Sequence, residues 1–177
     1  MVAHDLSGHL ATMDWKQLAV AVAIPLAGGI GGSLATANEI TTWYRGINKP
    51  SWTPPNWLFG PVWTALYCMM GLASYLVWRQ GGFERQAVPL AVYGVQLVLN
   101  FLWTPLFFKV HRLDLASLDI AGMWVAIVAT IRQFRPVIGD LALLLLVPYL
   151  VWVSYASALT FWIWRHNPTR PARAKAF

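Results

Sequence analysis

Residues 141–164 read LALLLLVPYLVWVSYASALTFWIW, with no Asp, Glu, Lys or Arg between Asp140 and Arg165. A helix crossing the hydrocarbon core of a bilayer needs about 20 predominantly apolar residues, so this stretch reads as a membrane span. Residues 17–38, 50–78 and 86–108 are likewise free of charge, the second with its apolar helix starting near Trp57. Residues 113–131 are apolar apart from Asp114 and Asp119. The expectation is an all-α integral membrane bundle of five helices, at about 17–37, 57–79, 87–108, 113–132 and 140–164. They form a single domain, 1–177, with a basic tail at 165–177. Composition agrees: of 177 residues, 58% are hydrophobic and 11% charged, with a mean hydropathy of +0.52. Soluble domains carry about 25% charged residues, which excludes a soluble enzyme, a disulfide-stapled module and a disordered chain. The lone Cys68 cannot form an internal disulfide, and no Cys/His cluster suggests a metal. The net charge of +6 lies between apolar runs, where it suits anionic headgroups and topology rather than nucleic acid.

Three of the joints are short, 79–85, 109–112 and 132–139, which makes consecutive helices antiparallel neighbours. The first connection, 38–56, is long and carries Trp43, Tyr44, Trp52, Pro50, Pro54 and Pro55. Long connections in compact proteins are usually functional, and the aromatic and proline content predicts a structured lid. Lys16, Arg79, Arg85, Arg132 and Arg135 lie on one side of the bundle. Arg45, Lys49, Lys109, Arg112, Arg165, Arg170, Arg173 and Lys175 lie on the other. The positive-inside rule therefore puts the lid and the C-terminus in the cytosol. The stretch before Trp15 holds His4, Asp5, His9 and Asp14 but no Arg, unlike a matrix-targeting presequence.

Of eleven Trp, Trp15, Trp43, Trp78, Trp162 and Trp164 sit at span ends and fit an interfacial belt. Trp63, Trp103 and Trp152 lie deeper, where an indole must find a partner or line a cavity. Helical spacing puts Gln96, Asn100, Trp103 and Phe107 on one face, and two amides turn that face away from lipid. Phe59, Trp63, Tyr67 and Met70 align on the second helix, and Tyr149, Trp152, Ala156 and Leu159 on the fifth. Such faces serve either helix packing or an aromatic-walled pocket for a flat apolar ligand. Asp119, the one acid deep in a span, is expected to hydrogen-bond Asn100, a Tyr or a backbone group. All four His lie outside the spans, which excludes a bis-His haem inside the bundle. Gly28-x-x-x-Gly32 and Ala87-x-x-x-Ala91 are two close-approach seams, one expected inside the bundle and the other at a homodimer face. Residues 72–79 match the permissive sterol pattern L-x-Y-x-R through Tyr75 and Arg79.

These features together resemble the translocator protein family (TspO/MBR, the peripheral benzodiazepine receptor). The resemblance rests on Trp43-Tyr44, on residues 49–57 (KPSWTPPNW) and on residues 60–64 (GPVWT). It continues through Gln96-Leu97, Asn100 to Pro105, Phe107-Phe108, Pro148 to Trp152 and Tyr155-Ala156. It implies a five-helix bundle whose pocket opens near the first loop and binds tetrapyrroles such as protoporphyrin IX and haem, in animals also cholesterol. The ligand-binding residues it implies are Tyr44, Pro54, Trp63, Asn100, Trp103, Trp152 and Ala156. Trp63 matches a tryptophan linked to light-dependent porphyrin degradation. The implied function is sequestration, transport or photo-oxidative degradation of tetrapyrroles, with no obligatory cofactor and no classical enzyme activity. A cholesterol or lipid carrier, or a stress regulator acting through partner proteins, is the alternative. Leu159-Thr160 stands where many members have Leu-Asn, and residues 161–165 (FWIWR) lack the tyrosine of the animal sterol motif. The similarity of residues 71–83 to animal members points to the outer mitochondrial membrane, with a bacterial envelope as the alternative.

Overall fold

The computed structural model describes residues 13–167; the N-terminal residues up to 12 and the basic tail from 168 lie outside the described residues. The chain forms α1 (Trp15–Thr41), a single-turn α2 (Trp43–Gly46), α3 (Asn56–Trp78), α4 (Gly82–Phe108), α5 (Leu113–Ile138) and α6 (Leu141–His166). All but α2 are long and apolar enough to cross a membrane. Helices satisfy every backbone N–H and C=O internally, as lipid demands.

Three boundaries differ from the sequence expectation. α1 runs to Thr41 rather than about 37, so the lid starts on a helical extension. α4 begins at Gly82 rather than 87, with a break in helical geometry at Gln86 (φ −114°, ψ 23°). Pro89 lies three residues on, and its ring and missing N–H disrupt the turn before it. The apolar pattern had located the kink and not the helix start. α5 continues through Arg132, Arg135 and Pro136 to Ile138, turning most of an expected joint into helix. Its cationic side chains lie at the end of the span, where the polar interface tolerates them.

Around the bundle the order is α1, α3, α6, α5, α4 and back to α1. Consecutive α4–α5 and α5–α6 are extensive neighbours, as the short joints predict, whereas α1 packs into the seam between α3 and α4. Glycine makes this approach possible. A Cβ on Gly71 would lie 2.5 Å from the Val22 Cα. One on Gly28 would meet the Phe101 ring at 2.1 Å, and one on Gly29 the Tyr67 ring at 2.1 Å. The Gly28-x-x-x-Gly32 seam is therefore internal. The α1 N-terminus is fixed by Asp14: its carboxylate accepts from the Lys16 and Gln17 amides, and its own N–H donates to Tyr75 Oη at 2.8 Å.

The half of the bundle away from the lid is a closed core of Met70, Ala73, Val77, Phe134, Ala142 and Tyr149, each fully buried. Tyr75 lies in it too, 1% exposed, so the sterol-like stretch 72–79 turns its tyrosine inward rather than to lipid. Because the Gly71 contact is with backbone, Gly71→Ala should destabilise the protein by about 1–3 kcal/mol through overpacking. Gly31, whose Cβ would meet nothing within 4 Å, should tolerate Ala. Thermal unfolding of both variants in detergent checks this; equal midpoints would mean that α1 does not approach α3 this closely.

Candidate functional site

In the lid half the helices separate around a cavity of about 250 Å³. Its aromatic walls are Phe59 and Trp63 from α3 and Trp103, Phe107 and Phe108 from α4, with Tyr44 of α2 above. Trp63 stacks on Tyr67 with ring centroids 5.5 Å apart, and Trp103 stacks on Phe107 at 5.0 Å. The lining holds hydroxyls and amides but no charged side chain.

The floor is a hydrogen-bonded chain across three helices. Tyr67 Oη donates to Asn100 Oδ1 at 2.9 Å, Asn100 Nδ2 donates to Tyr149 Oη at 3.0 Å, and Tyr149 Oη donates to Gln96 Oε1 at 2.9 Å. The amide N–H groups left over reach sulfur: Gln96 to Met70 and Asn100 to Met123, both at 3.8 Å. Gln96 and Asn100 are 1% and 3% exposed, so neither amide has another partner within reach. This chain bonds Asn100 to tyrosines and does not include Asp119, whose Oδ2 has no hydrogen-bond partner among the described residues.

The lid is ordered by contacts with both ends of the chain fold. Lys49 Nζ donates to the carbonyls of Tyr44, Arg45 and Ile47, closing the C-terminal end of α2, and sits 4.7 Å from the Tyr44 ring centroid. Burial lowers the Lys49 pKa from its ordinary value. Asn48 N–H donates to Asn167 Oδ1 at 2.8 Å, and Asn167 Nδ2 returns a bond to Asn48 O at 2.9 Å. Tyr155 Oη donates to Trp52 O, and the two rings meet edge to face. On the α1 side, Trp43 stacks on His111 at 4.1 Å, and His111 Nε2 lies 3.2 Å from Glu39 Oε2.

Of the residues expected at the site, Tyr44, Trp63, Asn100, Trp103 and Ala156 line the cavity together. Pro54 and Trp152 do not. Trp152 meets Phe59 edge to face, 5.7 Å between centroids, stacks on Tyr155, and buries its indole nitrogen without a hydrogen-bond partner among the described residues. Ala156 and Leu159 of the expected α6 face do line the cavity, joined by Thr160 and Ile163. Pro54 sits in the lid strand that carries the chain from Trp52 into α3. The sequence reading missed the α1 contribution, Leu26, Gly29, Ile30, Ser33, Thr36 and Ile40. Ser33 and Thr36, hydroxyls inside a span, were the available signal.

This fold and site define a polytopic membrane protein with a lidded, aromatic intramembrane pocket. The chain belongs to the TspO/MBR family, whose model matches residues 21–165. It is 43% identical over 145 residues to the human translocator protein, covering 81% of this chain and 85% of that one. It is 41% identical to the tryptophan-rich protein TspO of Archaeoglobus fulgidus, over 88% of this chain and 99% of that one. Protein CrtK of Rhodobacter capsulatus is 40% identical, over 83% and 89%.

Two predictions follow from the floor and the lid. Asn100→Leu removes the central link between Tyr67 and Tyr149 and should cost about 1–3 kcal/mol of stability, more than Tyr67→Phe. Unfolding in detergent measures both, and an unchanged Asn100→Leu protein would mean the floor is hydrated. Burial, with the Tyr155 hydroxyl nearby, pushes the Tyr44 phenol up to about 12. A raised acid pKa stabilises the closed lid fully below the free-tyrosine value near 10. That contribution is lost as pH climbs through the folded value. The tyrosinate difference spectrum between wild type and Tyr44→Phe should show one phenol ionising near the upper value; a midpoint near the free value would mean an open, solvated lid.

Proposed function

We propose that the protein binds tetrapyrroles, protoporphyrin IX or haem, in the lid-half cavity and so sequesters, moves or limits them. The observation that carries the reading is the cavity itself: uncharged, walled by Trp63, Trp103, Phe107 and Phe108, and set within the membrane-spanning helices. A flat apolar macrocycle gains stacking against such walls and loses little hydration on leaving lipid. Its carboxylates need an outlet, because the lining offers no cation. Lys49 is committed to the α2 carbonyls, which leaves Arg45, exposed on the lid, as the lid cation for a propionate.

Trp63 is the lining residue for the photochemical step of this reading. It would give one electron to the photoexcited ring and become an indole radical cation, and the reduced ring would then react with dioxygen, whose oxygen atoms enter the macrocycle as it is degraded. The stacking of Trp63 on Tyr67, in turn bonded to Asn100, gives the oxidised indole an aromatic neighbour. A sterol carrier is the second reading. It draws no support from residues 72–79, where Tyr75 is buried and bonded to Asp14. As to location, five apolar helices make a multi-pass membrane protein. The outer mitochondrial membrane gains nothing from the relatives, which at near-equal identity are mammalian, archaeal and bacterial.

The test is quenching of tryptophan fluorescence by protoporphyrin IX in detergent, beside Trp63→Phe and the lid variant Trp52→Ala. Saturable quenching, weakened when Trp52 is lost, is expected. Trp63→Phe should keep binding and lose light-dependent loss of porphyrin absorbance. Linear quenching equal in all three proteins would mean partition into the micelle and would overturn the reading.

A further inference from the structure

The cavity wall is not equally tight all round. On the α4 side of α1 it is sealed: a Cβ on Gly32 would sit 3.4 Å from the Thr104 methyl carbon, and Gly28 lies against the Phe101 ring. Thr36 there is buried, with its hydroxyl on Gly32 O. At the lid the cavity is closed by Tyr44, 6% exposed, and by the Asn48–Asn167 and Tyr155–Trp52 bonds. On the α3 side of α1 the situation is reversed. Ile30 and Ser33 of α1 and Asn56, Gly60 and Thr64 of α3 line the cavity and are also exposed. A residue that both lines a cavity and faces outward marks an opening.

The chemistry of that opening suits hydrocarbon. Ile30 is 57% exposed. Thr64 turns its hydroxyl back onto Gly60 O at 2.9 Å and so presents its methyl. Gly60 has nothing within 4 Å of where a Cβ would be, although glycine weakens a helix interior by about 1 kcal/mol relative to alanine. Here its missing side chain is empty space in the gap and not a close contact, in contrast to Gly28, Gly29 and Gly71. Depth also fits. Gly60 and Thr64 lie one and two turns inside the lid end of α3, and Ser33 and Ile30 about two and three turns inside that of α1, so these residues sit about 6–16 Å below the helix ends. Lower down the seam closes, with Tyr67 against Gly29 and Gly71 against Val22.

We infer that the cavity exchanges its ligand with the hydrocarbon of the bilayer through this gap between α1 and α3, with Gly60 as the residue that keeps it open, and not through the lid. The inference rests on the tetrapyrrole reading for its ligand class, an apolar planar molecule dissolved in lipid. The lid then has a retaining role: it closes the aqueous end, and the ligand arrives from the side.

The experiment uses the full chain in lipid vesicles and protoporphyrin IX delivered in a second vesicle population, followed by tryptophan quenching in a rapid mixing instrument. Gly60→Phe and, from the opposite edge, Ser33→Phe fill the gap. Asn167→Ala unties the lid. With lateral loading, both gap variants slow association and also slow dissociation about tenfold or more, whereas mere damage to the cavity wall would speed release. Asn167→Ala leaves the association rate within about twofold. The wild-type rate follows porphyrin per lipid, falling when lipid is added at constant total porphyrin and protein. The inference is overturned if Asn167→Ala speeds association and the gap variants leave it unchanged, or if a gap variant abolishes binding at equilibrium. Absence of saturable quenching in the wild type is a different result, which removes the tetrapyrrole reading itself.

Discussion

Two amides and two phenols buried in a lipid-embedded bundle bond one another and, beyond that, two methionine sulfurs. Gln96 and Asn100 on α4, Tyr67 on α3 and Tyr149 on α6 form one chain of hydrogen bonds about half-way down the helices. Leaving any of these groups unpaired in a medium without water is costly, so the chain fixes the rotation of three helices at once. Below it, the faces that carry these groups continue into a closed core around Met70 and Val77. Above it, the same faces continue as Trp63, Trp103, Phe107 and Ala156 and enclose a cavity. The polar chain is thus both floor and hinge line between a packed half and a hollow one.

α1 completes the enclosure by a different principle. It approaches its neighbours through missing side chains. Gly28, Gly29 and Gly32 let it lie against Phe101, Tyr67 and Thr104. The close approach is one-sided at the level of the cavity: tight toward α4, open toward α3. The lid finishes the aqueous end with backbone-directed bonds from Lys49, Asn48, Asn167 and Tyr155. Those bonds tie it to the end of α6, so lid position and pocket wall are set by the same helix.

The sequence pattern carried furthest where polar residues interrupt an apolar helix. The faces of α3 and α4 were legible because Asn100, Gln96 and Tyr67 do not belong in lipid, and the residues a turn away from them follow by helical geometry. On α6 three of the four residues read as one inward face, Tyr149, Ala156 and Leu159, do meet the floor or the cavity. Trp152 lies beside Phe59, outside the cavity, and Thr160 and Ile163 join the wall. Nearly every position of α6 is apolar, so no contrast marks the inward sector. α1 offered only the hydroxyls of Ser33 and Thr36 as contrast, and glycine and serine facing a cavity look like glycine and serine facing a neighbour.

By itself the sequence determined that the chain crosses a bilayer five times, where the spans lie to within a turn or so, and that the first connection is a structured lid. Those are local consequences of how many apolar residues lipid requires and of where charge and proline stand. Only the tertiary structure decided which helices are neighbours, which glycines are contacts and which are space, and which side of the cavity is left open. In lipid the solvent is as apolar as the core, so inside and outside differ by shape and hydrogen bonding, and shape is not written in composition.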